Sequence, residues 1–505
     1  MREAALVAVL TSRPSSAGGE ISSLPPSVQW LEVHADRLGD LDPDWLRSLF
    51  PGALLYSLRS RAEGGSFEGS SAERRARLLE ASRHWDLIEL EAGDLVPEIL
   101  DQVPEGRRVL SWHGSAAGVV ELRARLEHLA TVAARLVRLV PEAQEPADAL
   151  IPLRLLREAG RSDLTAWASG KAGGWSRLLA PRLGAPIVFA AAGVEPGELS
   201  VAQLVADYGL PQLPPVDDLY GIVGRTAATS LSPRLHNAAY RALELPALYL
   251  SFPTERFDAF WGELGNGALA DLGWPLRGLT VTSPHKEAAL AAVAEASPLA
   301  RQAGGANTLL RKTALWQADT ADAHGVLSAL QARGVDVTRC RAAVVGCGGA
   351  GRAAAAGLQS AGAEVTLVNR GTERGRYASQ LLGLPFVPLA RFSARDFALV
   401  VHATPLQHEP PFPLEELDPG AVVVELVYGA APTPLMTAAA ARGSVAIDGR
   451  EVLLVEAQRQ FQMMTGRRMP HDLARLVHPD GPGGGATIPV HTSSDPSSGR
   501  TAAFA

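Results

Sequence analysis

Three groups of residues in this chain are spaced for chemistry. The first is a glycine set, Gly346-Cys-Gly348-Gly349-Ala350-Gly351, with an apolar run (342–345) before it and alanines (353–356) after it. A buried strand, a tight glycine turn and a helix, in that order, let the backbone approach a pyrophosphate seated on the helix N-terminus. The second is a lysine, Lys286, after a strand-like segment, with Asp322 further on. Reducing a ketone, or oxidising a secondary alcohol, requires a group that gives or takes a proton as hydride moves. An amine steadied by a carboxylate does this. Lys171, Lys286 and Lys312 are the only lysines beside 44 arginines, so an amine kept after a strand invites a reason. The third is a series of polar residues ending apolar segments in the first 200 or so residues: Glu32, His34, Asp36, Arg59, His113, Arg138 and Arg177.

The strand after the glycine turn (364–370) ends in Asn369-Arg370, with Arg374 a short turn later. An NAD site ordinarily carries a carboxylate roughly 20 residues beyond the glycines to hold the ribose 2′-hydroxyl. An amide followed by guanidinium forks suits a 2′-phosphate instead. The expected cofactor is NADP.

The elements that must position these groups come next. Short apolar segments at 6–10, 30–36, 54–60, 86–91, 108–114, 135–140, 164–169 and 186–192 alternate with stretches of helical spacing such as 72–84 and 119–131. Eight strands with intervening helices predict a (β/α)8 barrel, whose chemistry sits at the strand C-terminal ends. A proline-rich stretch (209–217) follows as a linker. Ser230 and Ser232 precede a helix with Pro233 near its first position. Their hydroxyls either cap it or meet a ligand carboxylate favoured by the helix N-terminus. The last stretch (476–505), rich in Gly, Pro, Ser and Thr, is predicted to be a disordered tail.

At 505 residues the chain exceeds one ordinary core, so two or three domains are expected. A net charge of −7 without a basic block argues against nucleic acid. Two cysteines, Cys340 and Cys347, exclude a disulfide framework and fit a reducing cytoplasm. Neither a signal peptide nor an apolar run of membrane-spanning length is read, and no metal is expected.

The first segment resembles type I 3-dehydroquinate dehydratase. Glu32-Val-His34-Ala-Asp36 stands for the family's Glu-x-Arg-x-Asp, and Arg59 to Gly65 for its Arg followed by Glu-Gly-Gly. Ser111-Trp-His113 stands for Ser-x-His, and Gly170 to Arg177 for Gly-x-x-Gly-x-x-Ser-Arg. The resemblance implies an acid/base at His113 and a Schiff-base lysine on the sixth strand. Arg138 occupies that lysine's place, and arginine cannot supply a neutral amine. The last loop, Val194-Glu-Pro-Gly-Glu198, also departs from the family's Ser-Ala-Pro-Gly-Gln.

The second segment, from about Asp218 to Arg468, resembles shikimate dehydrogenase. Ser230 to Asn237 keeps Ser-x-Ser-Pro-x-x-His-Asn, and Gly278 to Lys286 keeps Gly-x-Asn-Val-Thr-x-Pro-x-Lys with Thr280 for its Asn. Asn307-Thr308, Asp322-x-x-Gly325, Ala403 to Leu406 and Val427-Tyr428 match further motifs. The family's Gln-Gly/Ala-x-x-x-Phe becomes Glu456-Ala-x-x-x-Phe461. The resemblance implies Lys286 and Asp322 as the catalytic pair, and Ser230, Ser232, Thr282, Asn307, Tyr428 and Glu456 around the substrate. It puts Gly346, Gly348, Gly349, Ala350, Gly351, Asn369, Arg370, Arg374, Thr404 and Gly449 at the cofactor.

The expected architecture is an α/β chain: a barrel over 1–208, a linker over 209–217, a substrate-binding domain over 218–325, and a Rossmann NADP domain with a returning C-terminal helix over 326–475. The implied function is NADP-dependent interconversion of 3-dehydroshikimate and shikimate on the route to chorismate, beside a barrel impaired by Arg138. Two alternatives stay open. One is a fully bifunctional enzyme that also takes 3-dehydroquinate. The other is a quinate/shikimate-type dehydrogenase with a regulatory barrel. A cytoplasmic protein is expected, with no nucleic-acid or membrane partner, and a homodimer is left open.

Overall fold

The computed structural model of the chain describes residues 3–477 except 16, 17, 196, 313, 314 and 430. The expected tail, apart from residues 476 and 477 in a closing turn, lies outside the described residues. Three sheets organise the rest.

The first contains eight parallel strands: β1 Ala5–Leu10, β2 Val28–His34, β3 Ala53–Ser57, β4 Leu87–Glu91, β5 Arg108–Gly114, β6 Leu136–Pro141, β7 Leu164–Ala166 and β8 Ile187–Ala191. They run β7-β6-β5-β4-β3-β2-β1-β8, with β8 returning to pair with β1, so the barrel is nearly closed. Three expected strands end two or three residues earlier than read. β2 stops at His34, where Ala35 and Asp36 open a short helix, β3 stops at Ser57 and β7 at Ala166. Apolar composition continues past the last ladder bond in each case, and composition does not record where pairing ends.

The second sheet is mixed. β9 Asp218–Val223, β10 Ala247–Phe252, β11 Leu276–Val281, β12 Glu295–Ala296, β13 Thr308–Lys312 and β14 Leu315–Asp319 lie in the order β10-β9-β11-β13-β14-β12. The third sheet is parallel throughout: β15 Arg341–Val345, β16 Glu364–Asn369, β17 Phe386–Pro388, β18 Leu399–His402, β19 Val422–Glu425 and β20 Ala446–Ile447. Its order, β17-β16-β15-β18-β19-β20, is that of a dinucleotide fold, with the crevice beyond β15 and β18. The runs of Ala and Val in β15, β18 and β19 follow from burial on both faces.

Helix Asp322–Ala332 leads from the second sheet to the third, and helix Gly449–Thr465 returns to pack Ala457 and Phe461 against Tyr220 and Tyr240. The barrel and the second sheet share one apolar core. Trp175 of the barrel meets Phe252 edge-on at 5.5 Å, and Trp274 donates from Nε1 to the Val216 carbonyl at 3.1 Å. Thr254 donates to Glu145 of the barrel at 3.1 Å, and Arg234 pairs with Asp207 at 2.6 Å. Among the described residues no helix is long and apolar enough to cross a membrane.

Candidate active site

The glycine turn has the geometry its residue types demand. Gly346 has φ 114° and lies so close to Ala403 that a Cβ would stand 2.6 Å from that carbonyl oxygen. At Gly351 a Cβ would meet the Gly346 carbonyl oxygen at 1.9 Å. Side chains are excluded at both positions, leaving bare backbone at the start of helix Gly349–Ser360, where N–H groups and the helix dipole favour a phosphate. Asn369 serves this loop directly: its Oδ1 accepts from the Cys347 N–H at 3.0 Å, and its Nδ2 donates to the Gly371 carbonyl at 2.8 Å. Arg370 is exposed at the end of β16, whereas Arg374 donates to Glu287 at 3.2 Å. Thr404, after β18, bonds with His402, whose other nitrogen lies 2.8 Å from Glu425. Gly449 begins its helix hard against Val427, where a Cβ would stand 2.3 Å from that carbonyl oxygen.

Across the crevice, Lys286 is the first residue of helix Lys286–Ala291, five residues beyond β11 rather than at the strand end itself. Its Nζ donates to both oxygens of Asp322, at 2.6 and 2.8 Å. Thr320 adds a hydroxyl at 3.2 Å from Asp322 Oδ2. Before Lys286, His285 Nε2 bonds the Thr254 carbonyl at 2.9 Å, which ties the lysine turn to the loop after β10. Asn307 Oδ1 accepts from the Ala321 N–H and the Thr308 hydroxyl, both at 2.8 Å, and among the described residues its amide nitrogen has no acceptor. Ser230 donates to Ser232 Oγ at 3.1 Å, and its own oxygen accepts the Ser232 N–H at 3.1 Å. The residue at the helix cap is Leu231, not a hydroxyl side chain, and the Leu231 N–H points to the Tyr428 hydroxyl at 3.5 Å. Thr282 faces Thr226 at 3.3 Å. Glu456 reaches in from the returning helix beside Gly325. These groups leave hydroxyls, an amide and an ammonium on one side of the glycine turn.

At the barrel mouth, Arg138 on β6 is 1% exposed and its guanidinium grips Glu32 in a fork, Nη1 to Oε2 at 2.8 Å and Nη2 to Oε1 at 2.9 Å. Nη2 also bonds Glu89, and the guanidinium lies 4.5 Å over the Phe189 ring. Burial opposes charge on Glu32, but Arg138 and His34 outweigh it and hold the carboxyl well below its usual range. Burial likewise works against the Arg138 cation, and Glu32 and Glu89 more than restore it. Arg138 is therefore a fixed cation without a nucleophilic nitrogen.

The histidine is arranged differently. Its Nδ1 lies 3.4 Å from Glu63 Oε2, which also accepts the His113 N–H at 3.0 Å, and among the described residues its buried Nε2 has no partner. Burial, with Arg59 and Arg138 nearby, pushes His113 well below the ordinary imidazole range, so it is neutral. Burial and the neighbouring Glu91 and Glu89 push Glu63 up to about 8. Arg177, 5.5 Å over Trp167, donates to Glu198 at 3.0 Å, so the last barrel loop places a carboxylate on this guanidinium. Arg59 stands 4.0 Å from Glu32 and from Glu89.

Sequence reasoning passed over three residues. Arg352 is fully buried and joins the two sides of the crevice, donating to Cys347, Ala303, Gly304 and Glu287 at 3.0, 2.7, 3.1 and 2.8 Å. Gln460 donates to Thr308 Oγ1 at 3.2 Å and accepts from Thr280 at 3.3 Å, which orients the Asn307 pair. Glu89 is the third partner in the Arg138 cluster. Gln460 lies one helical turn beyond Glu456, a spacing that could have revealed it.

A Rossmann crevice facing a lysine–carboxylate pair defines a nucleotide-dependent oxidoreductase, here joined to an eight-stranded barrel. Comparison with known proteins narrows this. Residues 6–213 match the family model of type I 3-dehydroquinase, and residues 222–309 that of the shikimate dehydrogenase substrate binding domain. Over 482 residues the chain is 26% identical to the bifunctional 3-dehydroquinate dehydratase/shikimate dehydrogenase, chloroplastic, of Arabidopsis thaliana, covering 88% of this chain and 78% of that protein. Over 255 residues it is 40% identical to shikimate dehydrogenase (NADP(+)) of Acidiphilium cryptum, covering 49% of this chain and 90% of that protein. The solved shikimate 5-dehydrogenase from Thermus thermophilus in complex with NADP(H) and shikimate is 32% identical, with a TM-score of 0.47, over 51% of this chain and 98% of that one. The chain belongs to the shikimate dehydrogenase family and carries a type I 3-dehydroquinase domain ahead of it.

Proposed function

We propose that the chain interconverts 3-dehydroshikimate and shikimate with NADP, and that its barrel no longer forms an imine with 3-dehydroquinate. The Lys286–Asp322 pair beside the glycine turn carries the first half. The cofactor cradle fits: two glycines admit no side chain, the nucleotide strand ends without a carboxylate, and Arg370 is exposed for a 2′-phosphate. When bound, NADPH supplies the hydride. Lys286 Nζ gives its proton to the carbonyl oxygen as that oxygen gains charge, and in the reverse direction takes it from the hydroxyl. Asp322 holds the ammonium in place. Ser230, Ser232 and the Asn307 amide offer donors to the substrate's carboxylate and hydroxyls. This reading takes the substrate domain as 218–325, the nucleotide domain as 326–475 and the barrel as 1–208.

The gripped Arg138 supports the second half, and Glu198 on Arg177 adds to it. One observation favours the rival, a working dehydratase: the Glu63–His113 pair is intact, with no partner on His113 Nε2 among the described residues. Assaying the purified chain with shikimate and NADP⁺, and separately with 3-dehydroquinate under borohydride, tests both readings. Dehydrogenation without a borohydride-trapped adduct is expected. A trapped adduct would require another amine, and no NADP reduction by shikimate would overturn the first half.

A further inference from the structure

Helix Gly449–Thr465 turns two polar side chains, one turn apart, toward the crevice. Gln460 is fully engaged with Thr280 and Thr308. Glu456 is not. Among the described residues no donor bonds it and no cation pairs with it. Its stem is pinned against helix Asp322–Ala332, since a Cβ on Gly325 would stand 2.5 Å from Glu456 Cγ and 3.0 Å from its Oε1. The titratable groups that face it are Asp322 from that helix, Lys286 from helix Lys286–Ala291 and Tyr428 from the loop after β19. Two of the three N–H donors of Lys286 go to the oxygens of Asp322, and among the described residues none bonds Glu456. A second anion at Glu456 would face Asp322 with no donor of its own, and a carboxylate substrate brings a further negative charge into the same crevice.

We propose that Glu456 works as a neutral carboxylic acid and gives its O–H to a ring hydroxyl of the substrate, an acid standing where the family pattern has an amide. The assignment rests on the shikimate reading above. Burial together with Asp322 pushes the carboxyl up to about 8, with Lys286 pulling the other way. A neutral carboxyl presents one donor and an acceptor, as an amide does, whereas an ionised one only accepts. Substrate affinity is then tied to a proton that an amide would not need.

The test uses the full chain with shikimate and NADP⁺ from about pH 6 to about pH 10, wild type beside Glu456→Gln. The amide donates at every pH, and the pH dependence of hydride transfer itself cancels in the ratio of the two proteins. The KM ratio, wild type to variant, is expected to stay flat below about pH 7 and to rise by up to about tenfold per pH unit above about 8, with the kcat ratio flat. Calorimetry in two buffers of different protonation enthalpy reads the proton directly. Shikimate binding at about pH 9 should take up about one proton in wild type and none in the variant. A flat KM ratio throughout, or equal proton uptake, overturns the neutral acid and leaves the dehydrogenase standing. No shikimate-dependent NADP reduction by wild type at any pH overturns the underlying function instead. If the variant fails to bind NADPH, wild-type proton uptake decides alone: its presence supports the acid and its absence overturns it.

Discussion

Lys286 and Gly349 touch across the crevice: a methyl group on Gly349 would stand 2.9 Å from the lysine's Cδ and 3.0 Å from its Cβ. The glycine thus leaves room for two things, a cofactor phosphate and the stem of the lysine proposed as proton donor. The lysine begins a helix beside the mixed sheet and the glycine begins one on the parallel sheet, so their contact sets how the two sides face each other.

Replacing the ammonium while keeping the stem separates these duties. Lys286→Met should lower kcat for shikimate oxidation by about 10²–10⁴-fold. NADPH affinity, read by fluorescence titration, should change less than about twofold, because among the described residues no hydrogen bond joins Lys286 to the glycine loop. A large loss of NADPH binding would move the lysine out of the proton-transfer role.

Two neighbouring glycines should respond differently to the same methyl group. At Gly351 the obstacle is the Gly346 carbonyl, 1.9 Å away and part of the backbone. Gly351→Ala should cost about 1–3 kcal/mol or more in denaturant unfolding and abolish NADPH binding. At Gly349 the obstacle is a side chain. Gly349→Ala should cost less stability than Gly351→Ala and lower kcat by displacing Lys286.

Arg370 and Arg374 are not equivalent. Arg374 already donates to Glu287, while Arg370 is exposed. Arg370→Ala should weaken NADPH by about tenfold or more, the worth of a charge-assisted hydrogen bond, and leave NADH untouched. Arg374→Ala should weaken NADPH less. Dissociation constants for both nucleotides check the contrast, and equal losses for NADPH and NADH at Arg370 would remove it from the 2′-phosphate.

The Glu63–His113 pair predicts how stability follows pH. Glu63, raised to about 8, binds a proton in the folded chain that the unfolded chain releases above its ordinary pKa of about 4.3, so its contribution falls as pH rises through that window. His113, depressed in the fold, acts oppositely: the unfolded chain takes up the proton below about pH 6.5, so its contribution is lost as pH falls. Between about pH 6.5 and 8 the Glu63 slope is no longer opposed by His113. Barrel stability should drop across that interval in denaturant titrations, and Glu63→Gln should flatten the drop. An unchanged slope in the variant would assign the effect elsewhere.

Much of this molecule was legible where chemistry restricts residue type. The glycine turn, the lone strand-following lysine and the barrel's alternating segments each leave a pattern that few other residues satisfy. The partners of those groups were harder to see. Glu89 sits within an ordinary barrel strand, and nothing along the sequence says that it meets Arg138 inside the ring. Arg352 follows the glycines on a helix, where an arginine usually faces water; it is buried because four acceptors from both sides of the crevice surround it, a fact of tertiary placement alone. Asn369 was legible as the absence of a carboxylate, but its grip on the glycine loop depends on a turn that brings Cys347 beside it. Residue type showed what chemistry was wanted, and packing determined who supports it.

The apolar core that the barrel shares with the substrate lobe has an evolutionary consequence. A chain cut at the linker would uncover the face of Phe252 that meets Trp175 and strip Thr254 of Glu145, and the Thr254 carbonyl holds His285 in the turn that leads to Lys286. A change inside the ring, as at the buried Arg138, can alter the barrel's chemistry without disturbing its neighbour, because it leaves the outer wall intact. Deletion cannot. The fusion therefore behaves as a ratchet, in which the barrel is held by its packing whether or not it performs a reaction.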